Sequence, residues 1–461
     1  MIGRVMHWQA GIVAVALALA ACGCQRPTQD SGWIDRQVVG EVMTHSELAA
    51  NLRSLALAGG RVSGTPNAYR AEQFVVQRLR DYGLHDVHCE PFTMTSWLDR
   101  TTVVTVLDEP PSRLEGALSL GNCLSTPPEG ITAELIDAGE GSATDFEKLG
   151  PAVQGRLALA RENGSHRSAK MKLALEHGAV GMVLVAETPE HARVGRCHAE
   201  PRPEPGITVP GNAGQTLIQR LGAGEALWLN IKIEADAWDA TPHNVVGEIP
   251  GRGPLAHEIV ILSAHLDSWH LGEGAIDNGN GSAAILEAAR ALAAGGWQPR
   301  RTVRFLWFMG EEHGLLGSRA YVQAHDDELD DIVAVVNVDM PGSPRRLVHF
   351  GHPEVEPFLR SVRDALRGFE IAPEIGTSRG TWSDHAPFVE AGLCALCLPG
   401  DLGPGVQFYH TSGDKYDAVD IRATNQAAAA LAVLVRHLAD APQRPCVRYE
   451  PTVLAPEIEH D

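Results

Sequence analysis

Three short runs in the second half of the chain are apolar at nearly every position: Glu258–Ala264 (EIVILSA), Thr302–Phe308 (TVRFLWF) and Asp331–Val338 (DIVAVVNV). A strand with one face in water alternates apolar and polar residues, so runs this continuous must be buried on both faces. RLVHF (346–350) and LCALCL (393–398) extend the set. Helical patterns lie between and after them: SAAILEAARALAA (282–294), PEVEPFLRSVRDALRGF (353–369) and TNQAAAALAVLVRHLADA (424–441). Buried strands alternating with helices predict an α/β fold, a mixed, mostly parallel sheet sandwiched by helices.

At 461 residues the chain exceeds one ordinary domain. Residues 34–95 read as helix, loop, helix and strand, with the periodic stretch RAEQFVVQRLRDYGL stopping at Gly83. From 96 to 242 short alternating strands (TTVVTVL, AELIDAG, GRLALAR, VGMVLVA) are broken by Pro and Gly. This segment is expected to be a separate β-rich insert, with 34–95 and 243–442 forming the main domain. A loose tail is expected over 443–461, which has three Pro and several carboxylates.

The first residues bear on the compartment. Arg4 is followed by the apolar run AGIVAVALALAA, of signal-peptide length and too short to span a bilayer comfortably. It ends in Leu19-Ala20-Ala21-Cys22, which resembles the bacterial lipobox. Residues 1–21 are thus expected to be a lipoprotein signal peptide and 22–33 a tether. Cys22 would carry a lipid anchor to the membrane, leaving an exported protein on the periplasmic or cell-surface side of a bacterial envelope. A formal net charge of -20 argues against a nucleic-acid partner. The eight cysteines are too sparse and irregular for a disulfide scaffold. Cys394 and Cys397 form a C-x-x-C inside apolar sequence, with no second pair nearby to complete a zinc site, and read as core.

Candidate ligands recur just after predicted strand ends. His265 and Asp267 follow EIVILSA, Asp277 precedes a helix, Glu311 and Glu312 follow TVRFLWFMG, Asp339 ends DIVAVVNVDM, and His410 lies in YHTSGD. The carboxyl ends of strands in an open α/β sheet are where sites are built. Two divalent ions about 3.5–4 Å apart need a bridging carboxylate, and each needs a further His and carboxylate with room for water. Two His and three carboxylates meet that count, and imidazole with carboxylate suits catalytic zinc. The adjacent Glu311 and Glu312 permit one carboxylate to bind metal while the other takes a proton.

The ordered series HLDSWHLGEGAIDNGNG, GEEHGLLGS, NVDM, SDHAPF and YHTSGD resembles the two-zinc aminopeptidase family, in particular its plasma glutamate carboxypeptidase (carboxypeptidase Q) branch. RVSGTPN looks like the family's N-terminal segment, and VQGRLALAR with GAVGMVLV looks like a protease-associated insert. The resemblance implies two zinc ions per chain. Asp277 would bridge them, His265 and Asp339 would complete one site, and Glu312 and His410 the other. Glu311 would be the general base and Asp267 would support His265, the pair making up the catalytic residues. Asp384 would line the site or cap the helix beginning near His385. His270 and His313 are not implied as ligands and read as exposed or supporting. The implied activity is hydrolysis of the N-terminal peptide bond of small peptides or dipeptides. The oligomeric state is open between a single chain and a homodimer.

Three other readings compete. Gly376-Thr377-Ser378-Arg379-Gly380 matches G-x-S-x-G, but Pro373 breaks the preceding run and no helix pattern begins at Ser378. A non-catalytic relative would have lost ligands, and here the full set is present. A glutaminyl cyclase would share the fold and cyclise N-terminal glutamine.

Overall fold

The computed structural model describes residues 31–450. The expected signal peptide, Cys22 and most of the tether lie outside the described residues, as does the end of the tail. Residues 31–33, assigned to the tether, instead open the helix Ser31–His45.

Two eight-stranded sheets organise the chain. Strand β1 (His85–Pro91) leads into β2 (Met94–Val106), which leaves the main body. The insert then forms β3 (Ser112–Arg113), β4 (Leu118–Ser119), β5 (Ile131–Asp137), β6 (Leu157–Arg161), β7 (Gly181–Val185) and β8 (Gly206–Val209), and returns along β9 (Trp228–Ala240). Its sheet order is β3-β2-β9-β5-β6-β7-β8-β4, with β5 to β8 parallel. The strands were expected to be short, yet β2 and β9 are each 13 residues long. They pair antiparallel from Met94↔Ala240 to Val106↔Leu229, with a register shift between Asp99 and Thr101.

The main sheet comprises β1, β10 (His243–Ile249), β11 (Ile259–His265), β12 (Thr302–Phe308), β13 (Ile332–Asn337), β15 (Arg346–Phe350), β16 (Glu374–Ser378) and β17 (Ala395–Cys397). A two-residue pair, β14 (Ser343–Pro344) with β18 (Gly400–Asp401), stands apart from it. The order β1-β10-β12-β11-β13-β17-β15-β16 puts β11, every residue of it buried, between parallel neighbours β12 and β13. That is where the continuous apolar runs belong.

Helices Asn280–Ala294 and Ile421–Asp440 cover one face of the sheet with the N-terminal helices. Both helices bury several alanines (Ala283, Ala284, Ala288, Ala289 and Ala291 in one, Ala427, Ala428, Ala429, Ala430 and Ala432 in the other), short side chains that suit close helix approach. On the other face Tyr321, Leu329 and Phe388 pack beneath β12 and β13. The helix Pro66–Asp81 starts where Thr65 accepts the Ala68 N–H and Pro66 fills the first turn, and Gly83 follows it at φ +77°.

Two cysteine and tail expectations need correction. Cys394 is buried but is disulfide-bonded to Cys446 rather than being a free core thiol, while Cys397 stays reduced. The tail is not loose as far as Glu450. Besides the disulfide, Arg444 donates to Glu258 and to the Asp330 carbonyl, and Tyr449 stacks on His352. Proline and charge in the sequence gave no sign of these long-range partners.

Candidate metal centre

Burial sets the rules at the carboxyl end of this sheet. His265 is the last residue of β11, and its ring is 1% exposed. Its Nε2 lies 3.1 Å from Asp277 Oδ1 and 3.4 Å from Asp339 Oδ1, yet it has no hydrogen-bond partner. His410 Nε2 lies 3.0 Å from the other Asp277 oxygen, Oδ2, and 3.2 Å from Glu312 Oε2. Asp277 therefore presents one oxygen to each imidazole. The donor atoms fall into two compact groups, His265 with Glu311 and Asp339, and Asp277 with Glu312 and His410.

The supporting shell is equally specific. Asp267, fully buried, accepts the Ser63 hydroxyl at Oδ2 and the Glu311 N–H at Oδ1, both at 3.2 Å. Its carboxylate is 3.5 Å from His265 Nδ1, and its backbone oxygen is nearer at 3.2 Å. Ser63 in turn accepts the Gly310 N–H at 2.8 Å, where the chain turns at φ +74° to bring Glu311 into the site. Asp414 accepts the N–H groups of Ile276 and Asp277. Arg61, with no exposed surface, donates to the carbonyls of Leu266, Glu273 and Gly274 and so fixes the loop between Asp267 and Asp277. Arg61, Ser63 and Asp414 lie within the motifs RVSGTPN and YHTSGD, but no periodicity or ligand count singled them out.

The charge state shows what the site lacks on its own. Burial, with Glu312, Asp339 and Asp384 nearby, pushes the Glu311 carboxyl well above its usual range, against the pull of His265. Burial likewise brings Glu312 up to about 7 and Asp384 up to about 7. Burial would lower His410, but Glu312 and Asp277 raise it to about 9. Carboxylates crowded this closely and largely withdrawn from water favour a compensating cation. His265 Nε2, Glu312 Oε1 and Asp339 Oδ1 have no hydrogen-bond partner, which leaves them available to a metal ion. An all-nitrogen-and-oxygen donor set of this kind fits zinc.

Other candidates resolve differently. The helix Ala386–Glu390 is preceded by His385 and has no side-chain cap, so Asp384 does not cap it. It is wholly buried among the site's charges. His313 is not exposed: it is 4% exposed beneath Trp269, with both ring nitrogens unpartnered. His270 packs edge-on against Trp97. Ser378 ends β16 at the sheet edge, and its hydroxyl accepts the Gly380 N–H. The next helix does not begin until Ala386, so Ser378 does not stand on the strand-to-helix elbow of a serine hydrolase.

A cavity of about 600 Å³ opens over the donors, with Glu311, Glu312, Asp339 and His410 on one wall and Arg167, Arg193 and Arg196 of the insert on another. Neither donor group contains an insert residue. The insert touches the centre through its backbone instead, Val194 donating to the His410 carbonyl at 2.9 Å.

Comparison with known proteins agrees with this architecture. The model of Peptidase family M28 matches residues 244–435, and that of the PA domain matches 131–217. Carboxypeptidase Q of Bos taurus is 29% identical over 400 residues, 83% of each chain. The probable lipoprotein aminopeptidase LpqL of Mycobacterium tuberculosis is 31% identical over 354 residues, 72% of this chain and 67% of its own. The crystal structure of a peptidase M28 precursor from Shewanella amazonensis has a TM-score of 0.80 at 22% identity, covering 92% of this chain and 99% of that one. With its strand-end donors and its inserted sheet, the chain belongs to peptidase family M28, as a metallopeptidase that carries a PA domain.

Proposed function

We propose that this M28 peptidase is a two-zinc exopeptidase that cleaves the N-terminal peptide bond of short peptides, with Glu311 as the proton carrier. The observation that carries this reading is Asp277, which faces His265 with one oxygen and His410 with the other. His265 and Asp339 would hold one zinc, Glu312 and His410 the second, with Asp277 between them. Zinc bound there would supply Lewis acidity and make water a usable nucleophile at neutral pH. Glu311, half-buried at the site, would take a proton from the attacking water and return it to the leaving amine. Asp267 would hold Glu311 through its N–H and His265 through its backbone oxygen. A substrate α-ammonium suits the carboxylate-rich floor of the cavity, and the insert's wall limits the length of chain behind it.

The experiment is zinc stoichiometry together with turnover of a dipeptide panel. The expected result is two zincs per chain, with chelator-sensitive release of free amino acids from dipeptides but not from their N-acetyl forms. Pyroglutamate as the main product would replace the reading with a cyclase, and fluorophosphonate labelling of Ser378 would replace it with a serine hydrolase.

We further propose export and lipid anchoring at Cys22. The sequence before Cys22 and the Cys394–Cys446 disulfide support it. No helix among the described residues is long and apolar enough to cross a membrane. Cys22→Ser should shift the protein from the membrane to the soluble fraction, and unchanged fractionation would discard the anchor.

A further inference from the structure

Away from the metal centre, among the described residues one more group gathers ligating or nucleophilic atoms: Cys123, Cys197 and His198 in the insert, all buried. The two sulfurs are 3.4 Å apart. Their backbones are held in register, since Cys197 N–H donates to the Gly121 carbonyl at 3.1 Å and Gly121 bridges Arg196 in parallel. Gly206 leaves the space in which the sulfurs meet; a Cβ there would lie 2.8 Å from Cys197 Sγ. His198 Nε2 pairs with the Glu204 carbonyl at 3.0 Å. A carbonyl only accepts, so Nε2 carries the proton and Nδ1 is left as a base. Burial opposes ionisation of Cys123, but Cys197 and His198 outweigh it and bring the thiol down to about 6.

We propose that Cys123 and Cys197 are joined by a disulfide in the mature protein, and that this bond fastens the arm Val194–Cys197 under the metal centre. The described residues already contain a disulfide, Cys394–Cys446, which points to maturation where thiols are oxidised. A metal is the weaker fit, because two thiolates and one imidazole leave zinc a ligand short of a closed tetrahedral site. The oxidant is an external disulfide, RSSR, acting before the segment is buried. Cys123 releases its proton to water, and the thiolate attacks RSSR to give a mixed disulfide and RS⁻, which takes up a proton as RSH. Cys197 then attacks the Cys123 sulfur, forming the Cys123–Cys197 bond and expelling a second RS⁻, which leaves as RSH with the Cys197 proton. Two protein thiols lose two electrons and two protons, and RSSR gains both.

The arm has a defined task. Val194 donates to the His410 carbonyl, and Arg196 Nη1 donates to the His313 carbonyl at 3.0 Å, next to Glu312. His410 itself sits at φ +58°, a left-handed conformation unusual for a non-glycine residue that its surroundings must hold. The arm's place at a metal centre rests on the two-zinc reading above, whereas the bond itself does not.

The test uses the full chain refolded with glutathione disulfide, then denatured and alkylated without reduction. Peptide mapping should recover a Cys123–Cys197 linked peptide alongside Cys394–Cys446. Recovery of Cys123 and Cys197 as alkylated thiols while Cys394–Cys446 is linked would overturn the proposal, as would an additional zinc that disappears in Cys123→Ser. For the fastening, hydrogen exchange of residues 190–198 should speed up severalfold in the Cys123→Ser, Cys197→Ser double variant, with β11 unchanged. Exchange equal to the parent's would remove the fastening role, and neither readout depends on peptidase activity.

Discussion

The two donor groups at the centre are built by opposite means. His265 ends β11, and Glu311 and Asp339 follow β12 and β13 within three residues, so the first group stands on adjacent strands of a sheet buried on both faces. In the second group Glu312 shares the turn after β12 with Glu311, but Asp277 and His410 come from less regular backbone. Asp277 sits at φ -117°, ψ 102° ahead of the helix Asn280–Ala294, and His410 is a left-handed residue in a loop. Rigidity there is borrowed from elsewhere: Asp414 holds the N–H of Asp277, Arg61 holds the loop before it, and Val194 of the insert holds His410. The first group is set mainly by strand ends, with Ser63 and Asp267 bracing the turn that carries Glu311, whereas Asp277 and His410 depend on long-range hydrogen bonds for their position. The second group should be the more labile.

The strongest break in this comparison is chemical. Glu311→Gln should lower kcat by about 10²–10⁴-fold, the range of a general base, while two zincs stay bound. Glu312→Gln should instead drop stoichiometry toward one zinc. If Glu311→Gln loses a zinc, or Glu312→Gln keeps both with full turnover, the roles are wrongly assigned. Next in size is Ser63→Ala, which strands the buried Gly310 N–H and removes a donor to Asp267. An unsatisfied buried donor costs about 1–3 kcal/mol, so zinc affinity on the His265 side should fall roughly 5- to 150-fold. Chelator competition titrations measure this, and loss confined to the His410 side would contradict the division. Smaller still is Val194→Pro, which deletes one neutral hydrogen bond of about 0.5–1.5 kcal/mol and should weaken the His410-side zinc about 2- to 10-fold. The least perturbing test changes no residue. Slow dialysis of the parent enzyme against a chelator should release zinc in two phases of equal amplitude, and a single phase would erase the asymmetry.

The same asymmetry explains what could be read from the sequence. The β12 run TVRFLWF coincides with the strand Thr302–Phe308, and β11 and β13 lie within a residue of their apolar runs. Burial on both faces writes itself into composition, so the strand-end residues His265, Glu311 and Asp339 followed directly. Arg61, Ser63 and Asp414 did not, because each acts on backbone groups far away in the chain and leaves no local periodicity. Cys446 was hidden for a related reason. Its partner Cys394 is 52 residues away, and the C-x-x-C spacing drew attention to Cys397 instead. The full length of β2 was also missed. Only its second half, TTVVTVL, looks like a strand without knowledge of β9 opposite it.

The pairing of β1 with β10 and of β2 with β9 has a consequence for how such a chain can arise. Pro91 faces His243 across the first pair, and Met94 faces Ala240 across the second, so the two pairs form one continuous antiparallel ribbon. The whole PA-containing lobe is thus the elaborated tip of a single hairpin. A lineage could acquire or shed it at one genetic junction, by closing the chain with a tight turn between Met94 and Ala240, without re-threading any other strand of the main sheet.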